Sequence, residues 1–87
     1  MPTVSRFREI DIKRYGNDHD PPHFHALHDG EGTEMKVAID PVALIESDAD
    51  RRSERLVLDW AKAHRNELLE NWHRLRRGEA TVRIDPA

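Results

Sequence analysis

The chain has no cysteine among its 87 residues. Disulfides, thiolate metal sites and cysteine nucleophiles are therefore excluded, and any metal would need His, Asp or Glu ligands. It has no run of eighteen apolar residues and no apolar leader-like stretch. The expectation is a soluble, cytoplasmic protein with no membrane partner. There is no internal repeat and no low-complexity segment. There is also no excess of positive charge: the net charge is −3, which gives no support for broad nucleic-acid binding. Aromatic residues are few, with two Trp, two Phe and one Tyr.

What is present points to one small domain over residues 1–87. A chain of this size buries only about 60% of its unfolded surface, so each apolar residue matters. Hydrophobic residues make up 37% and charged residues 36%; the apolar ones are clustered, which argues against disorder. The charge is unevenly spread. Residues 1–50 carry −6, residues 51–78 carry +4 and the tail carries −1. An acidic sheet end and a basic helix are implied, and the helix leaves a local RNA or acidic-protein contact open.

Hydropathy patterning divides the chain. "VSRFREIDIKRY" (4–15) alternates as a strand with Ile10 and Ile12 on its apolar face. "GNDHDPP" (16–22) is turn chemistry, and its diproline lets a strand begin only after Pro22. "HFHALH" places Phe24, Ala26 and His28 on one face and His23, His25 and Leu27 on the other. "DGEG" (29–32) predicts a hairpin turn, "EMKVAID" (34–40) the cleanest strand, and "VALIE" (42–46) a short strand or edge segment.

"SDAD" (47–50) offers helix caps, with Ser47 and Asp50 spaced like a capping box. From Arg51 to Arg77 the apolar spacing is helical. Leu56, Trp60, His64, Leu68 and Trp72 recur every four residues, and Gly78 is the stop. Unbroken, that helix would be roughly 40 Å long, more than this core needs, so a bend near His64–Asn66 is expected. "ATVRID" (80–85) can return as a last strand. The predicted architecture is α+β: a small antiparallel sheet of three to four strands packed against one long helix or two successive C-terminal helices.

Chemistry concentrates in "NDHDPPHFHALH" (17–28), which holds four of the six histidines. His23 and His25, two apart on a strand, share a face, and His19 precedes them on the turn. Three readings stay open. His19, His23 and His25 can ligate a divalent metal such as zinc, with Asp18 or Asp20 completing the set. They can instead share general acid and base work, since imidazole titrates near about pH 6.5, and so cleave RNA beside an arginine. Or Asn17 and Asp18 cap a turn and the histidines bond to backbone. Arg51 and Arg52, at a helix start where cations oppose the dipole, are candidates for phosphate or acidic-partner binding beside Asn17 and Asp18. Their plain alternative is local neutralisation by Glu54, Asp48 and Asp50. His64, inside the apolar stripe, reads first as a core histidine. Leu58 and Leu69 fall opposite the tryptophans and are expected to form a small exposed strip.

"MPTVSRF", "YGNDHDPPHFHA" and "RLVLDWAKAHRNELLENWHRLRRGE" resemble the bacterial Domain of Unknown Function 4160 family over nearly the whole chain, and the NDHxPPHFH stretch is highly specific to it. The resemblance implies a compact α+β domain. It also implies a two-gene, toxin–antitoxin-type setting, with this chain in the toxin-like role and a small cognate antitoxin-like protein as partner. No reaction mechanism comes with it. The signature maps here onto Asn17, Asp18, His19, Pro21, Pro22, His23, Phe24 and His25, with Trp60, His64 and Trp72 on the helix. Two departures stand out. "SDADRR" lacks the proline that more often precedes the paired arginines, and Ala26–Leu27–His28 stands where an aromatic is more usual.

Overall fold

The computed structural model describes residues 3–7, 10–13, 22–28 and 32–86. Five strands follow one another: β1 (Thr3–Phe7), β2 (Ile10–Lys13), β3 (His23–His28), β4 (Thr33–Ile39) and β5 (Val42–Ser47). They form one antiparallel meander in the order β1-β2-β3-β4-β5. Two helices, α1 (Arg51–Ala63) and α2 (Arg65–Arg76), complete an α+β fold. Among the described residues no helix is long and apolar enough to cross a membrane.

The strand count corrects the expected three to four. The single strand expected over 4–15 is replaced by two, β1 and β2, with Arg6 paired opposite Asp11 and their side chains joined at 2.6 Å. Alternation cannot distinguish one long strand from two that fold back, and Arg8–Glu9 carries no Gly, Pro or Asn to mark the reversal. The segment after Pro41 is a full strand, β5.

Period-two alternation fixes the core face. Ile12, Ala26 and Met35 stand in one cross-strand row, Phe24, Val37 and Leu44 in the next. Ile10, Ile12, Phe24, Ala26, Met35, Val37 and Ile39 are all buried, against Val57, Trp60, Ala61 and Leu68 of the helices. Leu58 and Leu69 do not form the expected exposed strip. They are partly buried and pack against this core, because each lies only about 100° around the helix from a buried neighbour, Val57 or Leu68.

The helix ends follow their local chemistry. Asp50 is the N-cap of α1, its carboxylate accepting from the Ser53 N–H at 2.7 Å. Ser47 ends β5 instead, its hydroxyl accepting from the Ala49 N–H at 3.1 Å. The expected bend is a break at His64, whose φ −115° and ψ 22° leave the helical basin. α2 closes in a Schellman motif: Gly78 N–H donates to Leu75 C=O and Glu79 N–H to Arg74 C=O, with Gly78 at φ +76°.

Residues 80–85 are not a strand. They run along the helices without a ladder, held by side chains. The Asn71 amide donates to Val82 C=O at 2.8 Å and accepts from Val82 N–H at 2.7 Å. The Trp60 indole donates to Asp85 C=O at 3.2 Å, and Ile84 is buried. An alternating sequence was sufficient to suggest an extended backbone, but its hydrogen bonds go to a helix side chain rather than to a neighbouring strand.

Candidate functional site

His23, His25 and Leu27 lie on the sheet face opposite Phe24 and Ala26, as alternation requires. The first of these departs from the simple pattern: His23 is 4% exposed. Its ring packs against Trp72 of α2, with centroids 5.4 Å apart, and meets the His25 ring edge-on at 5.3 Å. Arg76 stacks over Trp72 with its guanidinium carbon 5.8 Å from the ring centre, within cation–π range. The neighbouring residue Phe24 meets the other tryptophan, Trp60, at 6.2 Å. The start of β3 is thus held by an aromatic from each helix.

His25 has a different environment. Its Nδ1 is 2.9 Å from a Glu34 carboxylate oxygen on β4. A carboxylate only accepts, so Nδ1 carries the hydrogen, and the neutral ring keeps its lone pair on Nε2. The Glu34 backbone N–H in turn donates to the Asp48 carboxylate at 2.7 Å. His25, Glu34, Lys36, Glu46, Ser47 and Asp48 line an open recess of about 340 Å³.

The register also builds a row across the sheet. Lys13 on β2, His25 on β3, Lys36 on β4 and Glu46 on β5 are direct cross-strand partners. Paired residues of antiparallel strands share a face with Cβ atoms about 4.5–5.5 Å apart. His25 therefore stands between two lysines. Lys13, Glu34 and Lys36 were not singled out by reading along the chain. The signal was nonetheless available, because pairing 23–28 with 33–39 across the "DGEG" turn sets His25 opposite Lys36.

The remaining predicted residues fall elsewhere. Asn17, Asp18 and His19 lie outside the described residues. Arg51 and Arg52 are exposed on the first turn of α1, and Arg51 lines a second recess with Glu54, Arg55, Leu58, Asp59 and Lys62. His64 belongs to the Phe24 side of the sheet: its ring meets Trp60 at a tilt, with centroids 5.0 Å apart, and its Nδ1 is 2.8 Å from Glu67. His28 pairs with Ile10 and Thr33 on the core side. The Asp50 carboxyl is held below its usual value chiefly by its hydrogen bonds from Ser53, with the charge of His28 a smaller contribution. Among the described residues no group of three or more His, Asp or Glu is placed to hold a metal ion.

Neither the curated proteins nor the solved structures include a match to this chain. The family model described as Domain of unknown function (DUF4160) matches residues 10–73, which spans β2 through most of α2 and includes the whole histidine face, and the chain belongs to that family.

Proposed function

We propose that the protein is the toxin-like component of a bacterial two-gene toxin–antitoxin-type module, and that it acts on RNA through His25. The observation that carries this reading is the Glu34–His25 contact at 2.9 Å on the wall of an open recess. A carboxylate on Nδ1 fixes the ring and its tautomer and leaves the lone pair on Nε2, as in the histidine–carboxylate pairs of hydrolytic sites. In the proposed step, Nε2 takes the proton of an RNA 2′-hydroxyl. The 2′-oxygen bonds to the adjacent phosphorus, the bond from phosphorus to the 5′-oxygen breaks, and the departing oxygen takes a proton from water. A 2′,3′-cyclic phosphate and a 5′-hydroxyl result. His23 serves as a positioning residue, braced on Trp72 and meeting the His25 ring edge-on. His19, four residues before His23 in the sequence, is the other candidate proton carrier. The cognate partner in this reading is a small antitoxin-like protein.

The same Glu34–His25 contact supports a second reading. Metal-binding histidines commonly give their other ring N–H to a carboxylate. A divalent ion such as zinc would then be held by His25 and His23, with His19 as the third ligand.

Induced expression in a bacterial host separates these readings. The parent protein is expected to arrest growth. His25→Ala and Glu34→Gln should relieve the arrest, while the exposed and remote His73→Ala should not. Growth unaffected by the parent, or arrested equally by His25→Ala, overturns the first reading. Elemental analysis of purified protein showing one ion, lost in His23→Ala and His25→Ala, selects the second.

A further inference from the structure

We infer that Lys13 and Lys36, the cross-strand partners that flank His25, form a binding site for the phosphate backbone of single-stranded RNA. This rests on the reading of His25 as the reactive group, and it names what brings RNA to it. The register alone places both ammonium groups on His25's face, one strand to either side.

Their charge is uncommitted. Among the described residues neither lysine makes an ion pair or a side-chain hydrogen bond. The acids that line the recess beside Lys36 keep their charge, but two of them are hydrogen-bonded to other groups. Glu34 contacts His25, and Asp48 accepts the Glu34 backbone N–H. Glu46 faces Lys36 across β4 and β5, yet the two form no ion pair. Both lysines are half-buried in a chain of net charge −3; a lysine so placed covers its stem and keeps its ammonium in reach of solvent and of a ligand, its charge open. A phosphate would answer it. Each ammonium brings three donors and a point charge suited to phosphate oxygens. An anion held between them would lie over His25, so the 2′-hydroxyl of the same nucleotide falls near the imidazole.

The arrangement is also selective. Glu34, Glu46 and Asp48 on one flank disfavour a second phosphate there, so the strand is expected to cross the sheet along the lysine row and away from β5. A site of two cations binds weakly and through charge alone, which makes the salt slope its best signature. For single strands log K falls with log[salt] by about 0.7 for each phosphate neutralised.

The test uses the full chain and a 2′-O-methyl RNA octamer, which has the phosphates but no reactive 2′-hydroxyl. Binding is measured by fluorescence anisotropy between low and moderate salt. Lys13→Gln and Lys36→Gln should each lower the salt slope, and the double variant should lower it by about 0.7, the worth of the one phosphate held between them. Lys→Arg at either position should restore the slope. Arg83→Gln, an exposed cation on the C-terminal segment, should leave it unchanged. An octamer that does not bind the parent, lysine variants with the parent's slope, or an equal loss in Arg83→Gln would each overturn the inference. The two proposals fail separately. Octamer binding through the lysines with unmodified RNA left intact removes the base role of His25 and keeps the site. Undiminished RNA cleavage by folded Lys13→Gln/Lys36→Gln removes the site and keeps the base.

Discussion

Asn71→Ala should loosen the C-terminal segment from the helices at a cost that can be worked from its contacts. Asn71 is 1% exposed, and its amide makes both hydrogen bonds that Val82 would otherwise make to a strand neighbour, at 2.8 and 2.7 Å. Each such bond contributes a net of about 0.5–1.5 kcal/mol, giving about 1–3 kcal/mol for the pair. Val82 is 52% exposed, so water can reach its freed N–H and C=O. That excludes the full penalty for an orphaned buried group and places the expected loss at about 1–2 kcal/mol. For a domain of this size the loss corresponds to a fall in Tm of about 4–16 °C. Urea unfolding followed by tryptophan fluorescence should show a lower midpoint with an unchanged slope. Trp60 is a suitable reporter because its indole bonds to the same segment at Asp85. Hydrogen exchange at the Val82 amide should accelerate in parallel, since an extended segment without a ladder opens locally once its anchor is removed. A midpoint equal to the parent's, or a lower midpoint with Val82 exchange unchanged, would show that Asn71 does not anchor the segment.

Two further predictions concern the helix ends. The Asp50 carboxyl is depressed by its bonds from Ser53, so its contribution is present above its unfolded value near 3.8 and is lost as pH falls through the lower folded value. Asp50→Asn keeps a capping oxygen but does not titrate, so acid titration should show the parent losing stability below about pH 4 to a degree the variant does not. Gly78→Ala forces a side chain into φ +76°, and should cost about 1–2 kcal/mol in urea unfolding. Nothing lies within 4 Å of the added methyl, so a null result would show that the Schellman turn relaxes rather than strains.

The core was legible because two periods were clean. Phe24–Ala26 and Met35–Val37–Ile39 alternate without interruption, and Trp60, Leu68 and Trp72 recur at helical spacing. Cap chemistry located the helix ends, while most of the "DGEG" turn lies outside the described residues. The β1–β2 reversal was not legible, because "FREI" contains no residue that favours a turn. Nor was the fate of residues 80–85, since alternation specifies an extended backbone but not which group supplies its partners. The site was half legible. Pattern placed His23 and His25 on one face. It could not show that Trp72 reaches His23, because that contact depends on how α2 crosses β3. Glu34, Lys13 and Lys36 join His25 through register, which is a relation between strands and so is invisible when each strand is read alone.

The general-base role of His25 is tested by incubating the purified full chain with end-labelled single-stranded RNA and comparing the parent with His25→Ala, after both are shown to unfold at similar urea midpoints. The parent should cleave and leave 2′,3′-cyclic phosphate ends, and the variant should be slower by about 10²–10⁴-fold, the usual worth of a general base. RNA left intact by the parent, or cut equally fast by His25→Ala, would contradict it.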